Sequence, residues 1–169
     1  MPTVDIRPEA IGSDSGFDQT GTNLLQRIND NNTSTFVTNT SSANFDVLIE
    51  NSSAYSGATI NNVIVSVIGN TINEKVSSAS LVVELRDTSS LLQTSTLNFT
   101  PTESTESGAA YSTSLTPSVV DSFTVNGTVQ TVGLIIKEVF ITVDYSAPVG
   151  GKIILPSGKI HLIKGKITL

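Results

Sequence analysis

The sequence predicts an all-β protein. The expected architecture is an antiparallel β-sandwich, Greek-key or jelly-roll-like, with one short helix and a C-terminal appendage of three short repeated strands. Three observations predict it. Alternating runs rich in β-branched residues recur at roughly ten-residue intervals between turn residues, the signature of a sandwich. Only 14% of residues are charged and Ser, Thr and Asn abound, which suits strands with polar turns better than ion-paired helices. The last 19 residues then change grammar to a strict repeat.

The spine is residues 132–145. Val139, Ile141, Val143 and Tyr145 alternate with Glu138, Thr142 and Asp144, a half-buried strand pattern. Phe140 interrupts the polar set and residues 134–136 are apolar on both faces, so this strand is expected in the middle of a sheet.

In chain order, residues 3–8 form a short strand stopped by Pro8, and residues 11–21, with three glycines, read as a loop. Residues 22–29 are the one expected helix: a Thr or Asn cap precedes Leu24, Leu25 and Ile28. Asp30, Asn31 and Asn32 end it in turn chemistry. Strands are then expected at 35–37, 44–49, 60–68, 81–86, 91–99 and 111–115. Residues 122–125 make a further strand ahead of an Asn126-Gly127 turn, and residues 102–110 read as an exposed polar loop. The total is eight or nine strands.

A chain of 169 residues fits one domain with an appendage, so the expected division is a body, 1–146, and a tail, 147–169. There is no cysteine, hence no disulfide framework or thiolate chemistry. No run of about 18 apolar residues offers a membrane span, and the first ten residues lack the basic and apolar regions of a secretion signal. The net charge of −6 argues against a general nucleic-acid partner. Its distribution is uneven: residues 1–150 hold all fifteen acids and five basic residues, a charge of −10, whereas residues 151–169 hold four lysines and no acid.

The tail reads Gly-Lys-Ile-x-Leu three times, starting at Gly151, Gly158 and Gly165. In extended chain Ile153 and Leu155, Ile160 and Leu162, and Ile167 and Leu169 share a face within each unit. Lys152, Lys159 and Lys166 take the other face, with Lys164 at a corner. Three short strands with one apolar face are not stable alone. The six Ile and Leu residues together with Lys152, Lys159 and Lys166 are therefore the expected assembly contacts, packing on the sandwich edge or on other copies, with a homotrimer as the expected state.

Candidate catalytic groups are few. His161, the only histidine, occupies the variable slot that Ile154 and Thr168 hold in the sister units, which reads as a structural position. Glu103 and Glu106 are the one carboxylate pair worth weighing for glycosidase work, but no Trp and only three Tyr are present to build a stacking cleft. Asp30 to Asn32, with Asp14 or Asp18, match no EF-hand spacing and read as turns. No enzyme, metal or cofactor is expected. A recognition module would use the loops 102–110 and 11–21.

The order of pieces carries a resemblance. LLQRINDNNTSTFV (24–37), FDV (45–47), GATINNVIVSV (57–67) and the closing EVFITVDY (138–145) follow one another. This order resembles the β-sandwich modules of tailed-bacteriophage virion structural proteins over about residues 3–146. The resemblance implies a virion location and a non-enzymatic structural role. Capsid decoration or cement is the leading expectation, with major capsid or tail proteins as partners. A tail- or head-fibre component, or a host-surface glycan- or receptor-binding module, is the alternative.

Overall fold

The computed structural model describes residues 2–18, 27–29, 32–49, 57–72, 75–88, 90–113 and 115–146. The strands are β1 (Thr3–Ile6), β2 (Ala10–Asp18), β3 (Val37–Leu48), β4 (Thr59–Thr71), β5 (Ala79–Asp87), β6 (Ser90–Phe99), β7 (Ser104–Ser107), β8 (Phe123–Val129) and β9 (Leu134–Ser146). A one-turn helix, α1 (Pro117–Val120), precedes β8. All pairings are antiparallel. One layer runs β1-β9-β4-β7 and the other β2-β3-β8-β5-β6, and β3 joins them by pairing with β9 at its start and β8 at its end.

The spine is central, as expected: β9 pairs with β4 along its length and with β1 and β3 on its other side. A register shift between Ile68 and Gly69 leaves Lys137 unpaired as a bulge opposite them. It moves the buried set from Leu134 and Ile136 to Val139, Ile141 and Val143, which explains the doubly apolar start of this strand. A second shift at Asn61 puts Ile60 on the core side with Val63, Val65 and Val67, and leaves Ile64 and Ile68 on the outer face. From the other layer the core takes Phe45, Val47, Leu81, Val83, Leu85, Leu97, Phe99, Phe123 and Val125.

Several expectations are corrected. Residues 10–18 are strand, not loop: two bulges, around Gly12 and Gly16, hide the alternation. Gly16 has φ +78, and a Cβ there would lie 2.2 Å from the Ser42 carbonyl oxygen. Residues 104–107 are also strand, held to β4 by backbone pairing with no apolar residue of their own. The expected strand at 111–115 reduces to a single bridge between Tyr111 and Val63. The expected strands at 35–37 and 44–49 are not separate: Val37 and residues 44–48 are the two ends of β3, whose polar middle crosses between layers, while Thr35 and Phe36 precede it. Asn126-Gly127 is no turn: both lie inside β8, with Gly127 directly opposite Phe45. A Cβ on Gly127 would come within 2.2 Å of the Phe45 ring, so the glycine is there to seat the ring. α1 has no counterpart among the expected elements, although Thr116 caps it by accepting from Val119 N and Pro117 opens it.

Arg27 and Ile28 are helical, and Ile28 is fully buried. The rest of the expected helix, the Asp30-Asn31 pair and the whole repeat tail from Gly151 to Leu169 lie outside the described residues.

On the outer side of β9, Glu138 is 1% exposed. Arg7 donates to its Oε2 through Nε at 3.2 Å and Nη2 at 2.8 Å, and stacks 5.8 Å from the Phe140 ring centroid. This fork anchors the end of β1 on the spine. Arg7→Ala leaves Glu138 buried without it, and a loss of about 2 kcal/mol is expected in denaturant unfolding, against almost none for Arg86→Ala, whose ion pair is more exposed.

Candidate functional site

The outer face of the layer β2-β3-β8-β5-β6 is a grid of hydrogen-bonding side chains. Alternation sends the apolar residues of these strands inward and leaves the intervening positions outward. Register then aligns them across strands. One row runs Ser13, Asp46, Asn126, Glu84 and Thr94; the next runs Ser15, Asn44, Thr128, Val82 and Thr96. Neighbouring strands lie about 4.8 Å apart, so the first row is a ladder of closely spaced donors and acceptors, and the second is one interrupted only by Val82. Asn44, Thr94, Thr96 and Thr128 are exposed, and Ser15 Oγ donates to Asn44 Oδ1 at 3.1 Å.

Charge is concentrated in the middle of the first row. Arg86 donates to Glu84 Oε2 through Nε at 2.9 Å and Nη2 at 2.7 Å. Beside it, Asp46 Oδ1 and Asn126 Oδ1 are both buried acceptors without a hydrogen-bond partner. Burial pushes the Asp46 carboxyl above its ordinary value, and the Arg86 charge pulls it part of the way back. The two observations agree, because a proton on Asp46 supplies a donor directly opposite Asn126 in register.

The sign of the resulting pH dependence follows. Between the ordinary value of 3.8 and its raised value, folded Asp46 holds more proton than unfolded Asp46. Stability therefore falls as pH rises through that window, and the penalty is complete above it. Asp46→Asn removes the penalty and adds an amide donor. It is expected to melt above the wild type at pH 7, with the gap closing below about pH 3.8, as paired thermal melts would show.

The groups singled out in the sequence fall elsewhere. Glu103 is ion-paired with Lys137, and Glu106 accepts from Ser104 Oγ at 2.8 Å on the edge strand β7. Asn32 Oδ1 accepts from Ser34 N at 3.0 Å, the turn chemistry expected there. Tyr111 and Tyr145 are half-buried against the core, and register puts no aromatic ring on the grid among the described residues. Nor do the described residues gather three His, Cys, Asp or Glu side chains that could hold a metal. His161 and the assembly residues Lys152, Ile153, Leu155, Lys159, Ile160, Leu162, Lys166, Ile167 and Leu169 lie outside the described residues.

One solved structure shares this architecture. The C-terminal CBM6 of LamC, a marine laminarinase from Zobellia galactanivorans, superposes with a TM-score of 0.51 at 11% identity, covering 84% of this chain and 98% of that one. The likeness is one of fold. A second carbohydrate-binding module, CBM6cm-2 from Cellvibrio mixtus lichenase 5A in complex with cellotriose, gives 0.45 at 13% identity, covering 85% of this chain and 97% of that one. No family model matches the sequence, and no curated protein matches it. The β-sandwich expected from the sequence is thus the observed fold, while capsid decoration gains no support from these likenesses.

Proposed function

We propose that the chain is a non-catalytic glycan-recognition module, the alternative weighed beside the structural role, and that it acts on a virion surface. The observation that carries this reading is the hydrogen-bonding grid across β3, β8, β5 and β6, rich in hydroxyl and amide groups and exposed at Asn44, Thr94, Thr96 and Thr128. Sugar hydroxyls both donate and accept, and rows of Asn, Thr, Glu and Arg offer them matching partners. The fold it shares with a carbohydrate-binding module supports the same reading. The proposed surface is a sheet face: of the two segments weighed from the sequence, residues 11–18 border it as part of β2, whereas residues 104–107 pair with β4 in the other layer as β7.

Without a stacking ring, affinity rests on hydrogen bonds worth about 1 kcal/mol net apiece. A dissociation constant on the order of 1 mM per site is expected, raised by avidity when copies are displayed together. A glycan array probed with the full chain tests this. The variant Asn44→Ala/Thr96→Ala/Thr128→Ala alters exposed positions only and is expected to lose every signal while keeping its melting temperature. A wild-type chain that binds no glycan, or a triple variant that binds equally well, would sink the reading.

A further inference from the structure

The hydrogen-bonding grid has an apolar border. Beside the row through Glu84 runs a further row, Ala10, Leu48, Thr124, Arg86 and Leu91. Leu91 is 53% exposed. An isolated exposed leucine is ordinary on a protein surface, but this one owes its place to a bulge. Leu85 pairs with Gln93 and Arg86 with Leu91, so Leu92 is the extra residue. In unbroken register Leu92 would stand opposite Arg86 and face outward. The bulge instead sends Leu92 onto the core and turns Leu91 out beside Arg86. The other well-exposed large apolar residues among those described lie off this face. Phe36 precedes the part of β3 that pairs with β9, Ile72 follows β4, and Val132 lies between β8 and β9.

We infer that Leu91 is the apolar contact of the glycan-binding face, where the C–H face of a sugar ring rests while its hydroxyls engage Glu84, Arg86 and Thr94. The inference rests on the glycan-binding reading and names the residue that anchors it. Leu91 stands one strand spacing, about 4.8 Å, from Arg86, so a single sugar ring spans the two. The Arg86 head group is committed to Glu84, two residues back along β5, and its aliphatic stem extends the apolar surface. Both of those bonds enter Glu84 Oε2. Oε1 accepts none among the described residues and remains for a sugar hydroxyl. Thr94, the register partner of Glu84, is exposed and lies three residues from Leu91 on the same strand. The energetics favour such an anchor. Each hydrogen bond to a sugar only replaces one to water, whereas covering an exposed leucine removes apolar surface from water outright.

Titration of the full chain with the saccharide that gives its strongest array signal tests the role of Leu91. Leu91→Ala is expected to weaken binding about five-fold, the effect of losing roughly half of a leucine's burial. Leu91→Trp widens the apolar contact and is expected to tighten binding about five-fold. Val132→Ala removes an equally exposed side chain away from the face and is expected to change nothing. Melting temperatures should match throughout, and Leu91→Trp keeps the test decisive if Leu91→Ala loses stability. A wild type that binds, with unchanged affinity in both Leu91 variants, would overturn the role of Leu91 and leave the glycan reading standing. A wild type that binds no array saccharide would end that reading and this inference with it.

Discussion

Replacing Asn39 with leucine is expected to destabilise the protein by about 3 kcal/mol, the cost of leaving buried backbone groups without partners. Asn39 is 1% exposed and sits where β3 passes from one layer to the other. Its Oδ1 accepts from Gly133 N at 3.0 Å and Leu134 N at 2.7 Å, while its Nδ2 donates to the Thr131 carbonyl at 3.3 Å. One side chain thus holds the connection that turns β8 of one layer into β9 of the other. Leucine keeps the branched skeleton and removes the hydrogen bonds, and its bulkier methyl groups add to the cost. For a chain of this size the change corresponds to a fall of roughly 10 °C in melting temperature. Asn39→Asp is the informative comparison. It keeps the acceptor but buries a charge and loses the donor to Thr131, so it is expected to fall below the wild type with a deficit that narrows in acid.

Gly127→Ala is expected to cost a similar amount, about 3 kcal/mol, although alanine is ordinarily the better strand residue by up to about 1 kcal/mol. The added methyl would lie 2.2 Å from two carbons of the Phe45 ring, an overlap that neither strand can relieve by a side-chain rotation of its own. Phe45 is held in turn, being 2% exposed and packed 6.2 Å from the Phe17 ring. The signature is non-additivity: in a Phe45→Leu background the same substitution should cost less than about 1 kcal/mol, because the ring it strikes is gone. Denaturant unfolding of the four proteins of this cycle measures it. A full penalty in both backgrounds would mean that the ring is not what the glycine accommodates.

These two positions also show where the sequence was readable and where it was not. β4, β5 and β9 were expected because long runs of Val, Ile and Leu at period two signal strands without knowledge of partners. β2 and β7 were read as loops for opposite reasons. Bulges at its glycines break the alternation of β2, and β7 holds its place through backbone hydrogen bonds that leave no mark on residue type. The Asn126-Gly127 pair has turn chemistry in isolation, and only the ring of Phe45, far away in sequence, gives the glycine another purpose. The candidate site was illegible for a related reason. Each strand contributes two or three polar residues that look like ordinary solvent-facing positions. Register alone sets Asp46 beside Asn126 and Glu84 beside Thr94.

The measurement that tests the central claim most directly is a titration of the full, isotopically labelled chain with the best array saccharide, followed through its backbone amide resonances. The account predicts shifts that saturate on the order of 1 mM. They should cluster at residues 44–48, 80–86, 94–98 and 124–128, the strands that carry the grid. Saturating shifts confined to β1, β4 and β9, or none with any saccharide, would contradict it.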